Sequence, residues 1–155
     1  METNKSFRTT KKLQNILSFA TIPPSVNQVE MNPTCQQKNL IEFCLANNIV
    51  VTAFSPLRAK GASWGTNEVL DNEVLKAIAK ARGKTVAQVC LRWIYEQGAT
   101  IVFKSYSKER LKENLEIFDW ALSEDDTQKI KLIPQRRVNV GPSETLDQAI
   151  WDGEI

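Results

Sequence analysis

A cluster of basic and hydroxyl side chains stands between residues 102 and 114, where the sequence reads VFKSYSKERLKEN. An apolar run ends at Lys104, two serines follow, and a charged, helical pattern then carries Arg110 near its start. The N–H groups at a helix N-terminus lack partners and carry a partial positive charge, which favours an anion. Lys104 and Arg110 would flank a small basin. Ser105 and Ser107 would add hydroxyl donors, so the pattern predicts a phosphate site.

The helix that begins in this cluster predicts a second contact. Arg110, Glu113 and Asn114 lie at positions i, i+3 and i+4, so they share one helix face and could meet a planar polar group such as adenine. A plainer interpretation stays open at this point. Arg110 could pair with Glu113 on a solvated surface, Ser107 could only cap the helix, and Lys104 could be an ordinary lysine at a strand end.

Alternating strands and helices must position these side chains. Short apolar or β-rich runs predict strands over residues 25–31, 49–54 and 100–103. Helical patterns fill most of the chain between and after them, and their predicted start and stop signals are Thr34 with Gln37, Thr85 with Gln88, Gly83, Ser107 and Ser123. Strands separated by helices indicate parallel βα units with the helices outside the sheet.

The second strand and the loop after it have distinctive compositions. Residues 49–54 read IVVTAF, a nearly continuous apolar run that predicts a strand covered on both faces. The loop from Ser55 to about Asn72 is long for a compact domain, which is typical of a functional or mobile segment. Loops at the carboxyl ends of parallel strands bind ligands, which strengthens the case for a site at this edge.

Composition and charge exclude several classes of function. A net charge of +2 is too small for a dedicated nucleic-acid binder. No apolar run reaches membrane-spanning length and the N-terminus lacks the apolar core of a signal peptide, so we expect a cytoplasmic protein with no membrane partner. The absence of histidine removes Ser/His and Cys/His nucleophiles and most zinc hydrolase designs. Three cysteines without CxxC spacing favour reduced packing residues over a disulfide or a metal site.

Several separated motifs closely resemble the C-terminal half of plant aldo-keto reductases, the group that includes chalcone reductase-like and methylecgonone or codeinone reductase-like enzymes. They are SVNQVEMNP, VTAFSPL, KGASWG, VFKSYSKERLKENLEIFDWALSEDD and WDGEI. The resemblance covers residues 11–155 as a partial aldo-keto reductase domain and leaves residues 1–10 outside it. It implies an α/β fold, the C-terminal part of a (βα)8 TIM barrel, with about three parallel strands, outer helices and a long C-terminal tail from Pro134. Three strands fit such a part, since a closed barrel needs eight.

The resemblance also implies NADPH as the cofactor and assigns residues to it. Gln28 would contact the nicotinamide carboxamide, and Phe54, where many relatives have tyrosine, would stack on the nicotinamide ring. The pyrophosphate would meet Ser55 and Leu57. The 2′-phosphate and its ribose would be held by Lys104, Ser105, Tyr106, Ser107 and Arg110, and the adenine by Glu113 and Asn114. Without the family, Phe54 reads as a core aromatic residue and Gln28 as a polar strand residue bonded to backbone.

Departures from the family pattern limit what this chain is expected to do alone. The family's catalytic aspartate, tyrosine, lysine and histidine lie upstream of anything present, and Arg58 stands where relatives usually have glycine, so the pyrophosphate loop is expected to differ. The predicted function is NADPH-dependent reduction of an aldehyde or ketone, with this chain as a truncated C-terminal half. The alternative is an inactive NADPH-binding or partner-docking module. The family is usually monomeric, although exposed barrel edges could drive association.

Overall fold

The computed structural model describes residues 9–58 and 66–136. Two motifs lie outside these ranges. They are KGASWG, at residues 60–65, and WDGEI, in the tail from residue 137 onward. The described elements, in chain order, are α1 (Thr10–Leu17), β1 (Val26–Glu30), α2 (Lys38–Ala46), β2 (Val50–Phe54), α3 (Glu73–Arg82), α4 (Val86–Glu96), β3 (Thr100–Ile101), α5 (Lys108–Leu115) and α6 (Glu124–Lys131).

The three strands form one parallel sheet in the order β1-β2-β3. Gln28 is paired with Thr52 across the first ladder, and Ala53 with Ile101 across the second. This confirms the prediction of three parallel strands with intervening helices. The third strand is shorter than the predicted residues 100–103. The N–H of Val102 still donates to the carbonyl of Ala53 at 2.9 Å, and the chain leaves the ladder after that bond.

The helices cover one face of the sheet and enclose the core. Alternate strand residues such as Val29, Val51 and Ala53 are buried against apolar helix stripes. Helix α4 contributes such a stripe with Val89, Cys90, Trp93 and Ile94, which are all buried. Burying each large apolar side chain contributes about 1.5–3 kcal/mol, so this layer supplies most of the favourable energy of the fold.

The opposite face of the sheet is open within the described residues. Along β2, Val50 is 45% exposed and Thr52 and Phe54 are half-buried, while Val51 and Ala53 are buried. The prediction that this strand is covered on both faces is therefore wrong for the described part of the chain. An apolar run shows that a strand suits burial, but the cover must come from other elements, and the described helices lie on one side only.

Most predicted helix ends are confirmed. Thr85 and Gln88 form a reciprocal capping box at α4, and Ser107 and Ser123 cap α5 and α6 through their hydroxyls. Gly83 ends α3 with a φ of 60°, in the left-handed region that glycine tolerates without strain. These signals are local in sequence, which is why the sequence reveals them.

The cap predicted at Thr34 is wrong. Helix α2 begins later, at Lys38, and its N-cap Gln37 has a φ of 56° and no side-chain cap bond. The Thr34 hydroxyl instead donates to Asn32 Oδ1 at 2.8 Å, and Gln37 Nε2 donates to the carbonyl of Glu30 at 3.1 Å. Residues that precede the helix thus bind both side chains that the capping-box pattern assigned to each other. Among the described helices, none has the length and apolar character needed to cross a membrane.

Candidate functional site

The predicted phosphate ligands lie where β3 gives way to α5, a stretch called here the strand-to-helix segment (residues 102–110). Lys104 and Tyr106 are both exposed, and the Lys104 ammonium lies 4.7 Å from the centroid of the Tyr106 ring. A cation over an aromatic face at an exposed site gains about 0.5–1 kcal/mol. The ring restricts the ammonium without neutralising it, so the positive charge of Lys104 is available to an anion.

Ser105 and Ser107 shape the turn that opens α5. The N–H of Ser107 donates to Ser105 Oγ at 3.3 Å, and Ser105 Oγ lies 3.4 Å from the carbonyl oxygen of Ser107, to which it donates. Ser107 Oγ in turn accepts the N–H of Arg110 at 3.2 Å, which confirms the plain interpretation of Ser107 as the helix cap. The turn places Arg110 in the first turn of α5, with its guanidinium exposed to solvent.

Glu109 also belongs to this cluster, although it was not among the predicted site residues. Ser107 Oγ donates to Glu109 Oε2 at 2.7 Å. This hydrogen bond lowers the pKa of Glu109 below its ordinary value, and the backbone N–H of Glu109 and the charge of Arg110 act in the same direction. An acidic residue in the first turn, two positions after a serine cap, was the available signal, because carboxylates favour helix N-termini.

The adenine ligands predicted on α5 are anchored by α4. Thr85 Oγ1 donates to Glu113 Oε1 at 2.5 Å, and Gln88 Nε2 donates to the Glu113 carbonyl at 3.1 Å. Asn114 is buried, with 7% of its surface exposed. The plain interpretation paired Glu113 with Arg110, but in the structure the Glu113 carboxylate accepts a hydrogen bond from Thr85. The sequence pattern predicts only the capping-box role of Thr85, because this contact spans 28 residues of sequence.

Gln28 and Phe54 lie on the open face of the sheet. Gln28 is exposed and lies opposite Thr52. Phe54 is half-buried and lies opposite Glu30, two residues further along the same pair of strands. Side chains two residues apart on a strand share a face, so Gln28, Thr52 and Phe54 point to the same side. The structure therefore brings the two predicted nicotinamide contacts onto one surface, away from the helices.

The loop after β2 begins with strained backbone. Ser55 has a φ of 51° and Arg58 a φ of 59°, and the N–H of Arg58 closes the turn onto the Ser55 carbonyl at 3.0 Å. The Ser55 carbonyl also accepts Asn32 Nδ2 at 3.3 Å, and Leu57 packs against the core. A left-handed conformation costs a residue with a Cβ about 1–2 kcal/mol. That conformation explains why glycine suits position 58.

The side chain of Arg58 compensates for this strain by tying three segments together. It is 3% exposed, and Nη1 donates to Thr34 Oγ1 at 2.8 Å and to the carbonyl of Arg136 at 3.0 Å. Its Nε lies 3.5 Å from Glu68 Oε2 and makes no hydrogen bond among the described residues. Glu68 also pairs with Arg136 at 2.9 Å. Arg58 is thus turned into the protein, and its guanidinium is engaged by Thr34, Glu68 and Arg136.

Comparison with known proteins agrees with this architecture. The model of the aldo/keto reductase family matches residues 5–134. The chain is 61% identical over 145 residues to the NAD(P)H-dependent 6'-deoxychalcone synthase of Glycine max, covering 94% of this chain and 46% of that protein. It is 55% identical over 153 residues to deoxymugineic acid synthase 1 of Zea mays, covering 94% of this chain and 48% of that protein.

A solved structure shows the same fold. An aldo-keto reductase of the silkworm Bombyx mori, in its complex with NADPH, superposes with a TM-score of 0.73 and 33% identity, covering 86% of this chain and 43% of the silkworm chain. The chain spans about half the length of the curated relatives it matches. Its three parallel strands with helices on one side are consistent with part of a TIM barrel. The family match and the plant relatives together show that the chain belongs to the aldo/keto reductase family.

Proposed function

We propose that this chain contributes the adenosine-phosphate part of an NADPH site to an aldo-keto reductase that reduces an aldehyde or ketone. The observation that carries the proposal is the strand-to-helix segment, in which exposed Lys104 and Arg110 accompany a serine-capped helix N-terminus. The segment lies at the carboxyl end of a parallel strand, the edge at which ligands bind in such folds. The Glycine max relative is named for NAD(P)H and the silkworm structure for its NADPH complex.

The residues of this segment fit the 2′-phosphate of NADPH. The phosphate carries close to two negative charges, and Lys104 and Arg110 supply two positive ones. Charge-assisted hydrogen bonds to these side chains would be made by NADPH and not by NADH, which has a hydroxyl at that position. On this proposal, Ser105, Tyr106 and Ser107 surround the phosphate and its ribose, and Glu113 and Asn114 reach the adenine.

The open sheet face would receive the other end of the cofactor. Gln28 and Phe54 share that face, which supports their assignment to the carboxamide and to stacking on the nicotinamide ring. Ser55 and Leu57 follow β2 directly, at the place where a pyrophosphate would pass between the two ends. NADPH, when bound, supplies the hydride; the residues of this chain bind and orient it.

A second candidate function is NADPH binding without turnover by this chain alone. The 155 residues contain no histidine, and we propose that the catalytic aspartate, tyrosine and lysine of the family also have no counterpart here. The chain would then act as a nucleotide-binding module or dock onto a partner through its open sheet face. Binding of NADPH combined with no carbonyl reduction distinguishes this candidate from an active reductase.

Titration of the full chain with NADPH and NADH, followed by fluorescence, tests the cofactor site. We expect the double variant Lys104→Ala/Arg110→Ala to bind NADPH about 10- to 100-fold more weakly, because two charge-assisted bonds are lost. Binding of NADH should change less than about twofold. The control Lys112→Ala/Lys131→Ala removes the same charge from positions outside the proposed site and should leave both affinities unchanged.

Equal losses for NADPH and NADH in the double variant would contradict the assignment of the 2′-phosphate site. Circular dichroism of each variant verifies that α5 and its neighbours remain folded. If the full chain alone is too unstable to titrate, the same substitutions can be made in a chimera that joins the N-terminal portion of the Glycine max relative to this chain.

A further inference from the structure

The single proton of the Ser107 hydroxyl already has an acceptor before any ligand arrives. It accepts the N–H of Arg110 at 3.2 Å and donates its single proton to Glu109 Oε2 at 2.7 Å. A serine hydroxyl has one proton to donate. An incoming phosphate oxygen therefore cannot receive this proton from Ser107 until the hydrogen bond to Glu109 breaks.

Glu109 sits where an external anion would sit. It lies in the first turn of α5, at the positive end of the helix, and Arg110 is adjacent to it in sequence. The same donor and the same helix field that would favour a phosphate therefore already stabilise this carboxylate. The lowered pKa of Glu109 agrees with this environment and keeps the group charged at neutral pH.

We propose that Glu109 is an intramolecular competitor for the coenzyme phosphate, whose carboxylate must leave Ser107 before the 2′-phosphate can bind. The proposal rests on the NADPH site proposed above. Its consequence is specific to NADPH, because a negative charge next to the 2′-phosphate position repels a phosphate and not the 2′-hydroxyl of NADH. Glu109 thereby reduces the preference of the site for NADPH and sets the strength of coenzyme discrimination.

The test compares Glu109→Gln with Glu116→Gln in the full chain. Glu109→Gln removes the charge with little change of shape, while Glu116→Gln removes the same charge at the C-cap of the same helix. We expect Glu109→Gln to tighten NADPH about five- to tenfold and to change NADH less than about twofold. Glu116→Gln should change neither. Adenosine 2′,5′-bisphosphate and ADP, used as probes with and without a 2′-phosphate, should repeat the same contrast.

A purely structural role for Glu109 predicts the opposite sign. An acidic residue in the first turn stabilises a helix, so its removal would loosen α5 and weaken both coenzymes. Weaker or unchanged NADPH binding in Glu109→Gln, with wild-type preference for NADPH intact, would overturn the proposal and leave the proposed function standing. Loss of the site itself has a different signature, namely no NADPH preference in wild type and no effect of Lys104→Ala/Arg110→Ala.

A double-mutant cycle tests the part played by Ser107. Glycine is well tolerated at an N-cap, so Ser107→Gly removes the hydroxyl with little damage to α5. If Ser107 is the contested donor, the gain from Glu109→Gln should shrink to about twofold in the Ser107→Gly background. An undiminished gain would overturn the competition for Ser107. The chimera described above provides the same comparison should the full chain unfold during titration.

Discussion

Thr85 shows how one side chain can serve both the fold and the proposed site. Its hydroxyl accepts the N–H of Gln88 at 3.2 Å as the cap of α4 and donates to Glu113 Oε1 at 2.5 Å. Glu113 is therefore oriented by another helix rather than by its own neighbours. Because the donor belongs to the cap of α4, the position of the proposed adenine ligand depends on how α4 and α5 pack.

Replacing Thr85 should weaken both coenzymes alike. Thr85→Val keeps the shape of the side chain but removes the hydroxyl, so the Glu113 carboxylate loses its fixed orientation. NADPH and NADH carry the same adenine, and we expect each to bind about three- to tenfold more weakly, consistent with one lost hydrogen bond. Fluorescence titration measures the two affinities, and Thr85→Ser should behave as wild type. A change in the NADPH-to-NADH ratio would place Thr85 near the phosphate rather than the adenine.

Arg58 illustrates what the sequence conceals at the residue scale. Position 58 was predicted to alter the pyrophosphate loop because relatives usually have glycine there. The structure accounts for glycine and for arginine at this position. The left-handed backbone suits glycine, and the buried guanidinium of Arg58 binds Thr34 and the Arg136 carbonyl. These partners lie 24 and 78 residues away along the chain. No local pattern could have identified them.

Among the elements, local signals were predictable and tertiary ones were not. The caps at Thr85, Ser107 and Ser123 follow from spacing within one turn of helix. The failed cap at Thr34 depends instead on Asn32 in the same loop and on Arg58 in the loop after β2. The open sheet face depends on which elements lie beside it. The sequence thus predicts elements and ligand types better than it predicts which elements meet.

Helices α3 and α6 are joined by an ion pair that should make stability depend on pH. Arg82 Nε lies 2.7 Å from Asp126 Oδ2, and Asp126 also accepts the N–H of Ser123. Burial by itself raises the pKa of Asp126, but the hydrogen bonds from the backbone and hydroxyl of Ser123 and from Arg82 outweigh it, so the pKa is lowered. The folded state therefore binds this proton less readily than the unfolded chain does.

The sign of the effect follows from this lowered pKa. The stabilisation is fully present above the ordinary aspartate pKa of about 4 and is lost as the pH falls through the lower folded pKa. We expect Asp126→Asn to reduce the free energy of unfolding by about 1–3 kcal/mol at pH 7. The difference from wild type should shrink below about pH 4. Urea unfolding at a series of pH values measures this, with Glu124→Gln as a control. A constant difference across the series would contradict the assignment.

At the scale of the whole molecule, the open sheet face is the dominant feature. Val26 and Val50 on that face are 54% and 45% exposed, although the same strands are fully packed on the helix side. In a closed barrel such residues fill the interior. The proposed nicotinamide contacts Gln28 and Phe54 share this face. The described residues supply neither a cover for this face nor an acid for the proposed reaction.

The chain alone should therefore bind NADPH without reducing carbonyl compounds. On the proposed function, Gln28 and Phe54 orient the nicotinamide ring, but proton delivery to the carbonyl oxygen needs a positioned acid. Tyr95 is 47% exposed on α4 and Tyr106 lies beside Lys104, at the proposed adenosine end, so neither is placed to supply the proton. The absorbance of the reduced nicotinamide would stay constant when ketone or aldehyde is added. We expect the chimera with the N-terminal portion of the Glycine max relative to turn over, because the proposed function assigns the acid and the cover for the sheet to the part of the relative that this chain does not span. Ketone-dependent oxidation of NADPH by the 155-residue chain itself would show that its own residues complete the site.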